Sequence, residues 1–254
     1  MDDLKKRAAF CQSRLNIGST ERLDYNTSSV GQHYAILVTK VSVFYEVRLF
    51  VEDEHPNCLS VPLPVTVLNG ELIRFEQDDL VVSKHFTWKE VEERVSILRN
   101  FFEKPDFIVA RRIMNQSGYF QPYFIREVSE DYQITPDKYL KRGDIIATPC
   151  GRLAVHTAIY LGNGEVGHIS GHGGGKIDGM ARTGTLFGNF VSAATDRIWI
   201  VCLPLRIRTR EEIAKKAEEL AAKRFREGAF NILLRNCQNF VFLCATGVEY
   251  AFNV

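Results

Sequence analysis

Two stretches of the chain share their spacing, and this limits the fold more than any other feature of the sequence. His33 in HYAILV and His156 in HTAIYL lie 123 positions apart, and each is followed by the same pair, Ala35-Ile36 and Ala158-Ile159. Val43 and Val166 keep that offset. TWKEVEERVSIL (87–98) matches TREEIAKKAEEL (209–220) at an offset of 122, and DFIVARR (106–112) matches AFNILLR (229–235) at 123. Self-similarity at a fixed period points to one structural unit used twice. The sequence therefore predicts two tandem units, 1–131 and 132–254, each with strands followed by helices. That order predicts an α+β fold, an antiparallel sheet packed against helices. Two unrelated strand-then-helix segments would also give these few matches, and chance stays the alternative.

The C-terminal half is the more readable. GDIIATP (143–149), VHTAIYL (155–161) and EVGHI (165–169) read as short strands, with Asn163-Gly164 as the turn between the last two. RIWIVCLPLRI (197–207) reads as another strand. Thr209 with Glu212 three positions on is a capping-box signature. Ile213, Ala214, Ala217, Leu220, Ala221 and Phe225 follow on one helical stripe, and Gly228 is the expected end of that helix. Cys237 opens a second, more apolar helix.

Bulk properties remove several classes. The net charge of +1 gives no electrostatic case for nucleic acid. Cysteines at 11, 58, 150, 202, 237 and 244 form no CxxC pair, which fits reduced thiols in the cytosol. The start, MDDLKKRAAF, lacks the apolar core of a secretory signal, and 197–207 is too short and interrupted to span a bilayer. A cytoplasmic protein is the expectation.

Three side chains carry the chemistry. His156 and His168 fall on neighbouring strands of one hairpin, and Cys237 sits where a loop becomes a helix. A thiol and two imidazoles can supply a nucleophile, a general base and the group that orients the base. A helix N-terminus and a nearby imidazole would both lower the thiol pKa. Each residue alone is more often a packing residue; the combination is the signal. The repeat offset sets Met114 against Cys237 and Tyr45 against His168, so the first half is expected to lack the nucleophile and to serve as a structural or binding partner. His168 with His172 is too sparse for a zinc site, and GHGGGKIDG (171–179) lacks the spacing of a nucleotide loop. No metal or cofactor is expected. Cys244 reads as core, and Cys150 as an oxidation partner for Cys237.

Two boxes in this half resemble the lecithin retinol acyltransferase-like family, which includes the HRAS-like suppressor phospholipase/acyltransferases. The first is Gly143, Asp144, His156, Ala158, Ile159, Tyr160, Gly162 and His168; the second runs Leu233, Leu234, Arg235, Asn236, Cys237, Gln238, Asn239, Phe240. The resemblance covers roughly residues 140–248. It implies a circularly permuted NlpC/P60 papain-like fold, with Cys237 as nucleophile, His156 as base and His168 as third member. It implies phospholipid or similar ester substrates whose acyl chain passes to water, an amine or an alcohol, with peripheral membrane contact. Gln238-Asn239 stands in place of the family's Glu-His, and Thr157 in place of an aromatic. A non-catalytic scaffold or regulatory module with a vestigial site, and a papain-like peptidase or amidase, are the other readings.

Overall fold

The computed structural model describes residues 2–14, 18–55, 58–61, 80–117, 123–150, 154–170, 179–191, 197–227 and 236–250. It is an α+β protein with two antiparallel sheets, and it divides into two compact units. Unit 1 comprises Met1–Glu54, Pro64–Tyr123 and Leu203–Ile207; unit 2 comprises His55–Leu63, Phe124–Cys202 and Arg208–Val254. Three segments thus fall across the 131/132 division: 55–63 and 124–131 belong to unit 2, and 203–207 to unit 1.

Unit 1 is built on a four-stranded sheet ordered β1 (Gly18–Thr27), β2 (His33–Val41), β3 (Phe44–Val51) and β5 (Leu80–His85), with helices α1 (Asp2–Arg14), α2 (Trp88–Glu103) and α3 (Phe107–Gln116). Helix α1 sets Leu4 and Ala8 against Ala35, Leu37 and Phe50. Helix α2 reaches the next residue of β2, where Phe102 stacks on Tyr34 with ring centroids 3.6 Å apart. Successive residues of β2 therefore meet different helices, which explains why the run Tyr34–Val38 is apolar and buried instead of alternating.

Unit 2 holds a seven-stranded sheet ordered β10-β9-β8-β7-β11-β6-β4. Its strands are β4 (Leu59–Val61), β6 (Phe124–Glu127), β7 (Ile145–Cys150), β8 (Ala154–Gly162), β9 (Glu165–Ser170), β10 (Met180–Thr185) and β11 (Trp199–Cys202). Its helices are the short α4 (Pro136–Tyr139), α5 (Arg210–Ala222) and α6 (Cys237–Thr246). The β8–β9 hairpin turns at Asn163 and Gly164, both at positive φ, as the Asn-Gly pair requires. Ala158, Tyr160 and Val166 join Ile146, Ile200 and Phe190 in one core cluster. Helix α5 crosses β9 at Gly167, where an added Cβ would lie 3.2 Å from Ala217.

Several boundaries differ from the sequence expectation. The strand expected over 197–207 is confined to Trp199–Cys202, because Pro204 cannot donate to a ladder. Helix α5 ends at Ala222, six residues before Gly228. Arg224 and Arg226 take up positive φ; the Phe225 N–H donates to the Leu220 carbonyl and its own carbonyl accepts the Ala181 N–H, both at 2.9 Å, so Phe225 joins the end of α5 to β10 from outside the helix. Gly228 and residues 229–235 lie outside the described residues, as do 171–178 of the glycine-dense loop. No helix among the described residues is long and apolar enough to cross a membrane.

Candidate active site

Local sequence fixes where Cys237 stands. Asn236 is the N-cap of α6, and its side chain accepts the N–H groups of Gln238 and Asn239. The Asn239 side chain returns the favour by accepting the Asn236 N–H at 3.1 Å. This closed capping box makes Cys237 the first helical residue, and Gly247, at φ 76, ends the helix in the left-handed region. Asn239 does here, with one carbonyl oxygen, what a glutamate does in the usual form of the box.

Helix α6 packs on β8 and β9. The Cys237 Sγ lies 3.8 Å from the Val155 carbonyl oxygen, one residue before His156. The thiol is buried, and burial pushes its pKa up; the neighbouring Thr157 offsets part of the rise, while Cys150 at the end of β7 opposes a thiolate. The sequence expectation was a lowered thiol pKa. The helix start is present, but loss of hydration outweighs it, so the resting group is the thiol.

His156 and His168 meet as the hairpin predicts. His168 pairs with Ala158 in the ladder, two residues along the strand from His156, and His156 Nε2 lies 3.1 Å from His168 Nδ1. Phe190 covers the pair, its ring centroid 5.1 Å from that of His156. His168 is 1 % exposed, and desolvation, with the charges of His156 and Arg182 adding to it, drives its pKa down to about 3. At neutral pH it is therefore an uncharged hydrogen-bond partner. The structure thus joins the two imidazoles directly and sets the thiol against the strand that carries His156.

Other residues singled out by sequence find plainer places. Asp144, of the Gly143-Asp144 pair, accepts the Lys141 N–H at 2.7 Å, faces His55 at 3.2 Å and is ion-paired with Arg210. Gly143, at φ +91, lets the backbone of Arg210 come close enough for that pairing. These contacts pin α5 to the strand end. Cys244 is core, its thiol pushed up to about 12 by burial. His172 lies outside the described residues. Among the described residues no group of three or more His, Cys, Asp or Glu is placed to hold a metal.

Sequence reasoning missed Arg182. It stands opposite His168 in the β9–β10 ladder. The ladder is closed across the glycine-dense loop, so no local spacing announces the pair. No protein-family model matches this chain, and no curated protein does either.

Proposed function

We propose that unit 2 is a cysteine-dependent acyltransferase or phospholipase A-type hydrolase, with Cys237 as nucleophile, His156 as base and His168 as the group that orients the base. The observation that carries this reading is the 3.1 Å contact between His156 Nε2 and His168 Nδ1; the Cys237 sulfur meets the same strand at the Val155 carbonyl and at Thr157, whose side chain alternates with that of His156. In these roles His156 Nε2–H donates to His168 Nδ1, and His156 Nδ1 is the basic nitrogen. The cysteine proton moves to that nitrogen as sulfur attacks the ester carbonyl. Collapse of the tetrahedral adduct gives a thioester and releases the alcohol, which takes the proton from His156. Water, an amine or another alcohol then gives its proton to His156 and attacks the thioester; the C–S bond breaks and His156 returns the proton to the departing Cys237 sulfur. Because the thiol starts protonated, proton transfer accompanies attack instead of preceding it. The neutral, buried His168 holds the tautomer and ring angle of His156, a role that needs no charge on His168.

The α+β fold, with its histidine-bearing hairpin and cysteine-led helix, is compatible with a permuted NlpC/P60 papain-like domain, and the paired hairpins and capped helices support a tandem arrangement. Ester substrates held in a bilayer imply a cytosolic protein that touches membranes peripherally. The test is incubation with a short-chain phosphatidylcholine followed by intact-mass measurement. An acyl adduct mapped to Cys237, absent in Cys237→Ala, is the expected result; no adduct, with turnover unchanged in that variant, removes the reading.

A second reading has its own support. The burial of Cys237 and its raised pKa also suit an inert thiol in a scaffold or regulatory module. Iodoacetamide labelling against pH separates the two. A working nucleophile labels at neutral pH in a manner that depends on His156, whereas a vestigial one labels only in denaturant.

A further inference from the structure

Arg182 and His168 are direct cross-strand partners, so their side chains leave the sheet on the same face. Arg182 is half-buried as a residue, yet its Nε and Nη2 are shut off from water and have no hydrogen-bond partner. His168 Nε2 is in the same condition. These are not three unrelated atoms. Nε–H and Nη2–H form the parallel pair along one edge of the guanidinium, the edge that takes two oxygens of a carboxylate or phosphate. When His168 accepts from His156, its own proton sits on Nε2, and that nitrogen becomes a third donor. Buried donors without acceptors are costly, and a fixed cation without a counter-charge is more so. Folding has thus gathered three donors and one positive charge beside the imidazole pair.

We propose that Arg182 and His168 bind the phosphodiester group of the substrate, with its two non-bridging oxygens on the Nε–Nη2 edge of Arg182 and one of them also accepting from His168 Nε2–H. This rests on the acyl-transfer reading for its substrate and goes beyond it by naming the group that is recognised. A phosphodiester fits because it offers oxygens to all three donors while carrying one negative charge against one arginine. In a glycerophospholipid the phosphate lies a few bonds from the scissile carbonyl, and here the anion site includes His168, the ring in direct contact with the imidazole that would serve that carbonyl. Anchoring the phosphate would orient the ester. It would also satisfy the buried His168 Nε2–H and keep the contact of His168 with His156 intact.

The experiment compares two esters on the full chain: dihexanoylphosphatidylcholine, and a p-nitrophenyl ester of similar chain length without phosphate. In Arg182→Gln the ratio of kcat/KM for the first to that for the second should fall on the order of 100-fold, through KM. Arg182→Lys, which keeps the charge and loses the fork, should fall between. Equal losses on both esters would mean that Arg182 only shapes the dyad, and an unchanged ratio would mean that it holds no substrate; either overturns the proposal. A binding arm does not need turnover. Titration with inorganic phosphate should move the ring-nitrogen signals of His168 in the wild type and in Cys237→Ala, but not in Arg182→Gln. Phosphate response without any Cys237 acylation would keep the anion site and sink the acyl-transfer reading. Acylation without phosphate response or headgroup discrimination would do the reverse. Inorganic phosphate competing as well as the lipid, mole for mole, would overturn the assignment to a lipid diester.

Discussion

The β2–β3 and β8–β9 hairpins are built alike and filled differently. Each turns through residues at positive φ, Ser42 in one and Asn163-Gly164 in the other, and each unit follows its hairpin with a helix whose N-cap threonine closes a capping box. Counting outward from the turn-closing pair, the third pair is Val38–Val47 in the first hairpin and Ala158–His168 in the second. Val47 and His168 are both buried. One hairpin fills this place with a methyl-bearing side chain, the other with an imidazole that must find a partner. The ladder also shows that Val47, not Tyr45, stands where His168 stands, because the two turns close at Phe44 and Glu165, two positions short of the 123-residue offset. Likewise Met114 falls late in α3, whereas Cys237 is the first residue of α6. A desolvated imidazole is a burden on stability that an aliphatic residue avoids, so the second hairpin, unlike the first, is filled in a way that packing alone does not ask for.

The largest effect should come from splitting activity from stability between these two sites. Cys237→Ala is expected to cost about 10³-fold or more in ester turnover. Met114→Ala, at a fully buried position, should cost about 2–5 kcal/mol of stability instead, with turnover per folded molecule kept. Turnover assays beside urea titrations check both. Turnover unharmed in Cys237→Ala would erase the functional distinction between the units.

The parts that were legible in the sequence are local. The Asn163-Gly164 turn sets the His156–His168 contact, because twelve positions around a two-residue turn bring the two rings to neighbouring strands. The capping box at the start of α5 follows from Thr209 and Glu212 standing three apart. What was not legible depends on distant partners. Asp144 meets His55 across 89 positions and Arg210 across 66. Arg182 reaches His168 only through the register of β10. The end of α5 was misplaced because two arginines occupy left-handed backbone that sequence usually gives to glycine. The thiol pKa was misjudged because a helix terminus is a local feature, whereas burial is a property of the whole packing.

Acid should tell the two hairpins apart. Unfolded, His168 takes up a proton below 6.5; folded, it does not until about 3. The unfolded chain binds the extra proton within that window, so the stability tied to a neutral His168 is complete above pH 6.5 and drains away as pH falls toward 3. Val47 has nothing to titrate. His168→Val copies the first hairpin into the second and should flatten the loss between pH 7 and 4, read as the change in urea midpoint across a pH series. A slope identical to the wild type would show that His168 is hydrated when folded. Next in size is Gly143→Ala. The residue sits at φ +91, and its new Cβ would collide with the Arg210 backbone, so the loss should be about 2 kcal/mol or more, measured by denaturant titration. A neutral outcome would mean that the Asp144–Arg210 anchor does not hold α5 in place.

The smallest effect tests how far the likeness of the two units extends. Thr87 and Thr209 each accept the N–H of the residue three on, while Glu90 and Glu212 reach back to the threonine N–H at 3.1 and 2.7 Å. In both boxes the contacts with threonine hold the glutamate pKa below its ordinary value. Replacing either threonine by alanine frees one helix-terminal N–H and should cost about 1 kcal/mol. The helices differ in what lies behind the cap: Val91 and Val95 in α2, Ile213, Ala214 and Ala217 in α5. Since the cap is paid out at the exposed helix end, that difference should not register. Amide exchange of the first helical turn, followed separately in Thr87→Ala and Thr209→Ala, should therefore speed up by the same factor of about five in each, the kinetic form of that energy. A much larger change in one helix would mean that its cap also braces the packing beneath it, and that the two units share a local motif without sharing the way it is used.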